Sequence, residues 1–321
     1  MSVDDTSQQP VRMRVAGRTD RGQKRMDNQD SMLATDLSRS AADGGHVIDP
    51  AAVMPSGTAE FELGAGGAVM LVADGMGGAA AGARASRMAV DEVERELSAG
   101  WGTDGDRSAT QLARRLRHAL EVANTRIFEA AKQDSACAGM GTTATLAGVV
   151  GDTICFAQVG DSRAYVVRNG AAVQVTRDQS FVQELVDAGT LTEDEAERSV
   201  HANKILQALG AAPGVKVVLT SHQLRRNDVV LLCSDGLTRV VRKEEIGLAA
   251  ASSADLASLC EALVALANER GGPDNVTVVA ARFDGEGLAF ALPHEAVERK
   301  PLELSASADD STLEFPVQPV R

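Results

Sequence analysis

Four acidic blocks are spaced along the chain, each an Asp beside Gly, Ser or Asn at the edge of an apolar run. They are Val72-Ala73-Asp74-Gly75-Met76-Gly77-Gly78, Val159-Gly160-Asp161-Ser162-Arg163, Leu232-Cys233-Ser234-Asp235-Gly236 and Gly271-Gly272-Pro273-Asp274-Asn275. A buried strand excludes water, so an Asp at its mouth followed by Gly can meet a cation while the backbone approaches closely. Carboxylates that converge must be neutralised: their pKa values shift, or they hold divalent metal. Ahead of these blocks, the stretch from Thr19 to Ser31 adds Arg25, with Gln29 and Asp30 shortly after it. A guanidinium keeps its charge and its planar fork matches phosphate oxygens, so Arg25 beside such a cluster points to a phosphate ester as ligand.

Those side chains have to be carried by a framework, and the periodicity of the sequence outlines one. Strand-like runs are expected over 30–35, 68–73, 142–150, 153–159, 163–168, 171–176, 215–220, 228–233 and 275–282, with a hairpin at Asn169-Gly170. Apolar residues at helical spacing predict helices over 79–97, 109–131 and 254–269. Residues 37–67 are rich in Ala, Gly, Ser and Pro and are expected to form an insertion loop. The first ten residues and residues 285–321 are polar and are expected to be tails around a catalytic domain at 11–284. Helices interleaved with long antiparallel runs place the chain in the α+β class.

At 321 residues and 44% hydrophobic content, the chain can bury a sizeable core. A formal net charge of −13 argues against nucleic acid and anionic membranes as partners. The four cysteines, Cys137, Cys155, Cys233 and Cys260, have no paired metal-ligand spacing and are expected to be buried reduced thiols. No apolar segment is long enough to span a bilayer, and a soluble cytoplasmic protein is expected.

The order of the five blocks resembles the metal-dependent protein phosphatases, the type 2C serine/threonine phosphatase family, in its bacterial form. The resemblance runs from Met13 to about Phe283. It implies a four-layer αββα fold: a sandwich of two antiparallel β-sheets flanked by helix pairs, with the site in a cleft at one end and a flap at 179–203 beside it. It also implies that Asp74 bridges two metal ions, with the Gly75 carbonyl on one and Asp235 and Asp274 on the other. Asp161 matches a position tied to a more labile third ion shared with Asp235. Arg25 matches the phosphate-binding arginine, Asp30 an acid that holds metal-bound water, and Asn275 a support for the Asp274 loop.

Phosphate monoesters hydrolyse very slowly unaided, so a catalyst must supply a strong nucleophile and neutralise phosphoryl charge. Water held between two divalent ions about 3.5–4 Å apart ionises near neutral pH. Oxygen donors, with no His or Cys in any acidic block, favour Mn2+ or Mg2+ over zinc. The expected activity is therefore metal-dependent hydrolysis of a phosphate ester; the resemblance implies phosphoserine and phosphothreonine in phosphoproteins as substrates, and opposition to a bacterial serine/threonine kinase that is itself among them, and a monomer is expected.

Three positions depart from the family pattern. Gln29 stands where many relatives carry Glu, Met76 where eukaryotic relatives carry a His proposed to protonate the leaving group, and Gln179 where a His is common. Gln29 motivates the alternative, a catalytically impaired regulatory or phosphoprotein-binding module on the same fold. A lone Asp-Gly is more often a turn than a ligand, and Asp284-Gly285 is taken as one. The five histidines are taken as surface or satisfied polar positions.

Overall fold

The computed structural model describes residues 10–38, 46–48, 58–101 and 105–304. Two antiparallel sheets face each other. The first has six strands in the order β10 (Ala171–Gln174), β9 (Arg163–Arg168), β12 (Val229–Cys233), β13 (Val276–Asp284), β1 (Arg12–Asp20) and β4 (Ala59–Glu62). The second has eight. Seven lie in the order β14 (Lys300–Pro301), β11 (Val218–Gln223), β8 (Thr153–Val159), β7 (Ala144–Val150), β5 (Ala68–Met76), β2 (Asp30–Asp36) and β3 (His46–Ile48), and β6 (Gly141–Thr142) pairs with β5 off this path.

The strands bury both faces, which is why they read as near-continuous apolar runs. Along β5, Val69, Leu71 and Ala73 face the helices α1 (Ala79–Gly100) and α2 (Ala109–Gln133), while Ala68, Met70 and Val72 face the other sheet. Along β13, Val279, Ala281 and Phe283 enter the inter-sheet core. Val276, Val278 and Ala280 pack against α5 (Asp235–Thr238), α6 (Lys243–Ser252) and α7 (Leu256–Glu269). A one-residue slip would exchange the two sets, so the register is strongly fixed. The expected α+β class and its two-sheet sandwich with flanking helices are borne out. At the hairpin joining β9 to β10, Asn169 and Gly170 both have positive φ (52° and 79°), the conformation that matches the twist of the flanking strands.

Several local expectations differ from the structure. The segment expected as an insertion loop, 37–67, contributes two strands, β3 and β4, which pair with β2 and β1; its residues 39–45 and 49–57 lie outside the described residues. Helix α6 and strand β1 were not foreseen, and β11 lies three residues later than expected. The expected C-terminal tail is also corrected as far as residue 304. Leu288 and Val297 are buried in the inter-sheet core, β14 pairs with β11, and Glu295 bonds Arg168 and Arg225. The segment is polar because ion pairs, as well as apolar contacts, hold it down. The expected tails at 1–9 and 305–321 lie outside the described residues.

Candidate metal and phosphate site

The β2–β5 register sets Asp30 directly opposite Asp74 at one end of the sandwich. The backbone of Asp74 is fixed by two threonines: its carbonyl accepts from Thr143 N (2.8 Å) and Thr142 Oγ1 (2.9 Å), and its N–H donates to Thr143 Oγ1 (3.0 Å). Gly75 follows, where a Cβ would stand 2.1 Å from the Gly82 carbonyl. Only glycine lets the start of α1 close onto this strand end.

The other acids arrive from the facing sheet. Asp235 opens α5 directly behind β12, and Asp274 precedes β13. Asp161 lies in the loop between β8 and β9. That loop is braced by Gln179, whose Oε1 accepts from Gly160 N (2.8 Å) and whose Nε2 donates to the Lys216 carbonyl (2.9 Å). Arg163 turns away from the site to grip Asp178 with both Nε and Nη2. The unusual Gln179 thus has a structural task.

An open cleft of about 590 Å³ collects these groups. Arg25, Gln29, Asp74, Gly75, Asp161, Asp235 and Asp274 all line it, with Met76 and Thr143, and Asn203 and Ile205 from the flap side. Asp30 does not line it. Its Oδ2 accepts from Ser234 Oγ and Thr277 Oγ1, each at 2.7 Å, so it stands behind Asp74. Asn275 differs from expectation. Its side chain does not brace its own loop but clamps residues 21–29, accepting from Gln29 N (2.9 Å) and donating to the carbonyls of Arg21 (2.9 Å) and Asp27 (2.8 Å). That clamp fixes the loop carrying Arg25.

Charge in the cleft is unbalanced. Burial, with neighbouring acids adding to it, raises the pKa of Asp30 to about 7 and of Asp161 to about 8, and pushes Asp74 well above the ordinary carboxylate value. Asp235 is raised too, by burial foremost, against the pull of Arg239. Two buried carboxylate oxygens, Asp30 Oδ1 and Asp235 Oδ1, accept no hydrogen bond. Orphaned buried oxygens and an all-oxygen donor set fit a hard divalent cation. Yet among the described residues no three Asp, Glu, His or Cys side chains stand together as a ready ion cage. Two arginines stand among the carboxylates. Arg25 Nη2 bonds Asp274 Oδ2 at 2.7 Å; Arg239 bonds the same oxygen through Nη1 at 2.9 Å and pairs with Asp235 through Nη2. Sequence reasoning missed Arg239. Its one signal was position, four residues after Asp235, which becomes meaningful only once α5 is known to be helical.

Comparison with known proteins gives a consistent picture. The protein phosphatase 2C family matches residues 58–276. The serine/threonine protein phosphatase PstP of Mycobacterium tuberculosis is 32% identical over 305 residues, 95% of this chain and 50% of that protein. The chain thus spans about half the length of that relative. The protein phosphatase PhpP of Streptococcus pneumoniae is 33% identical over 85% of this chain and 99% of its own length. The catalytic domain of PstP, solved in complex with two manganese ions, superposes with a TM-score of 0.67 at 33% identity, covering 85% of this chain and 99% of that one.

Proposed function

The chain belongs to the protein phosphatase 2C family, and from that premise we propose that it hydrolyses phosphoserine and phosphothreonine in proteins, using Mn2+ or Mg2+ held by its acidic cleft. The observation that carries this is the imbalance itself: the acids that line the cleft, Asp27, Asp74, Asp161, Asp235 and Asp274, outnumber its cations, Lys24, Arg25 and Arg239.

In this proposal Asp74, the Gly75 carbonyl, Asp235 and Asp274 would hold the divalent ions. Asp161 with Asp235 would hold a further, more labile ion, Asp30 would act through a bound water, and Gln29 would offer a neutral amide oxygen. Bound there, the ions supply a nucleophile from water at neutral pH and positive charge for the phosphoryl oxygens. Arg25, with its side chain 50% exposed, is free to leave Asp274 and fork onto a substrate phosphate. Met76 carries no proton to give, so the leaving alkoxide takes its proton from a different group or from water.

The open cleft suits a phosphorylated segment on a protein surface, and the proposed substrates include a serine/threonine kinase. Proposed with it are a monomeric, cytoplasmic protein and no nucleic-acid or membrane partner. Supporting this, the net charge is −13, and among the described residues no helix is long and apolar enough to cross a membrane. Phosphate release from a phosphothreonine peptide, assayed with Mn2+ and with chelator, tests the activity. Metal-dependent release is expected; its absence at saturating Mn2+ would favour the impaired binding module instead.

A further inference from the structure

Arg239 has no assigned role in the reaction proposed above, yet it makes the densest charge contacts in the cleft. It sits four residues after Asp235, so α5 places both side chains on one face. Its guanidinium pairs with Asp235 Oδ2 and donates to Asp274 Oδ2 at 2.9 Å, and its charge also reaches Asp161. The helix does not need these contacts, because the Arg239 N–H already bonds the Asp235 carbonyl at 2.9 Å.

Both oxygens of Asp274 already accept hydrogen bonds. Oδ2 takes Arg25 (2.7 Å) and Arg239 together, and Oδ1 takes Asn275 N at 2.9 Å. A cation approaching Asp274 Oδ2 therefore competes with two guanidinium groups already on that oxygen. Arg25 is the looser of the two, holding one carboxylate, whereas Arg239 holds two and is only 27% exposed.

We propose that Arg239 is a resident counter-cation of the site, neutralising Asp235 and Asp274 in the metal-free protein and yielding them when a divalent ion binds. This rests on the metal-centre reading above. Divalent-ion affinity is then lowered twice: the ion competes for carboxylate oxygens that are already paired, and afterwards a positive charge remains nearby. In exchange, the metal-free fold is spared the full repulsion of its buried acids.

Calorimetric titration of Mn2+ into chelator-stripped protein tests this without reference to turnover, using the native chain, Arg239→Gln and Arg239→Lys. Removing one unit charge beside a dication should tighten Mn2+ binding roughly tenfold in Arg239→Gln. Arg239→Lys keeps the charge and should stay close to native. Thermal melts of the metal-free proteins should show Arg239→Gln melting below native and gaining more from Mn2+. Equal or weaker Mn2+ affinity in Arg239→Gln, or a metal-free melting temperature at or above native, overturns the proposal. So does an Arg239→Lys protein that binds Mn2+ as tightly as Arg239→Gln. If all three bind with one affinity, the metal centre stands and this role for Arg239 falls; if none binds Mn2+, both fall.

Discussion

Strands β9 and β12 join two charged clusters of opposite character. At one end they border Asp161 and Asp235, in the cleft; at the other stand Arg168 and Asp228. The Arg168 guanidinium is 3% exposed and Asp228 is 1% exposed, yet nothing there is unmatched. Arg168 gives Nε and Nη2 to the two oxygens of Asp228 (2.9 and 2.6 Å), Nη1 to Glu295 (3.2 Å), and Nη2 also to the Gln223 carbonyl (3.2 Å). His222 Nε2 lies 2.9 Å from the same Nη2, and burial and that guanidinium hold the imidazole pKa down. At the cleft, acids crowd two arginines and two buried oxygens stay orphaned. The same strands carry a balanced cluster that fastens the C-terminal segment and an unbalanced one that asks for a ligand. Burying charge is costly in both places, but only an uncompensated site has free energy left for binding.

Substitutions at the two ends should therefore separate activity from stability. Asp74→Asn, Asp235→Asn and Asp274→Asn should each lower Mn2+-supported hydrolysis of a phosphate ester by roughly a thousandfold or more, since ligands of a shared centre fail as a unit. For Asp74→Asn the metal-free melting temperature should hold or rise, because a neutral amide replaces a strongly disfavoured carboxylate. Near-native turnover in any of the three would remove that residue from the site. At the balanced end, Arg168→Ala should cost about 3–5 kcal/mol in urea unfolding, as expected for stranding a buried carboxylate. Turnover per folded molecule should be unchanged; a large loss of turnover with native stability would erase the contrast between the ends.

Proton linkage sharpens the same contrast. Asp30 and Asp161 have folded pKa values of about 7 and about 8, above the ordinary 3.8. Between those limits the folded metal-free protein binds more protons than the unfolded chain, so its stability must fall as pH rises. Metal-free protein should melt at a higher temperature at pH 5.5 than at pH 8. Saturating Mn2+ should flatten or invert that slope, because an ion replaces the protons. A metal-free melting temperature that climbs with pH would place these acids in a solvated or compensated setting. The smallest effect is expected at Gln29, which lines the cleft against Gly82. Gln29→Glu adds one negative charge there and should lower the Mn2+ concentration for half-maximal activity a few-fold. An unchanged requirement would take residue 29 out of reach of the metal.

The parts of this molecule that were legible in the sequence are those where one residue type answers one local need. Asp-Gly at the end of an apolar strand, Asn169-Gly170 in a hairpin and the apolar runs of β5, β12 and β13 could be placed from the chain alone. What stayed hidden depended on partners distant in sequence. Helix α6, Lys-Glu-Glu-Ile-Gly-Leu-Ala-Ala-Ala-Ser, has too small an apolar stripe to announce itself, and it is held by contacts to α7 and β10. Residues 285–304 look like solvated tail because Glu295 reads as a surface charge until Arg168 and Arg225 are seen around it. Arg239 reads as an ordinary helical cation until Asp274, from the loop ahead of β13, is found on it together with Asp235.

The Asn275 clamp ties together two segments made far apart in time. Its three hydrogen bonds to residues 21–29 span 246 to 254 positions of chain, and the adjoining strand β13 pairs along the whole length of β1. The loop bearing Arg25 is made early, and its Gln29 carbonyl can accept from Gly75 N and Ser86 Oγ, but its remaining contacts, to Gly272 and Asn275, wait for a segment about 250 residues later. Such long-range closure makes for slow folding. It also means that a nascent or prematurely terminated chain holds Asp74 and Asp161 without a fixed Arg25, so the complete cleft appears only when its last strand has docked.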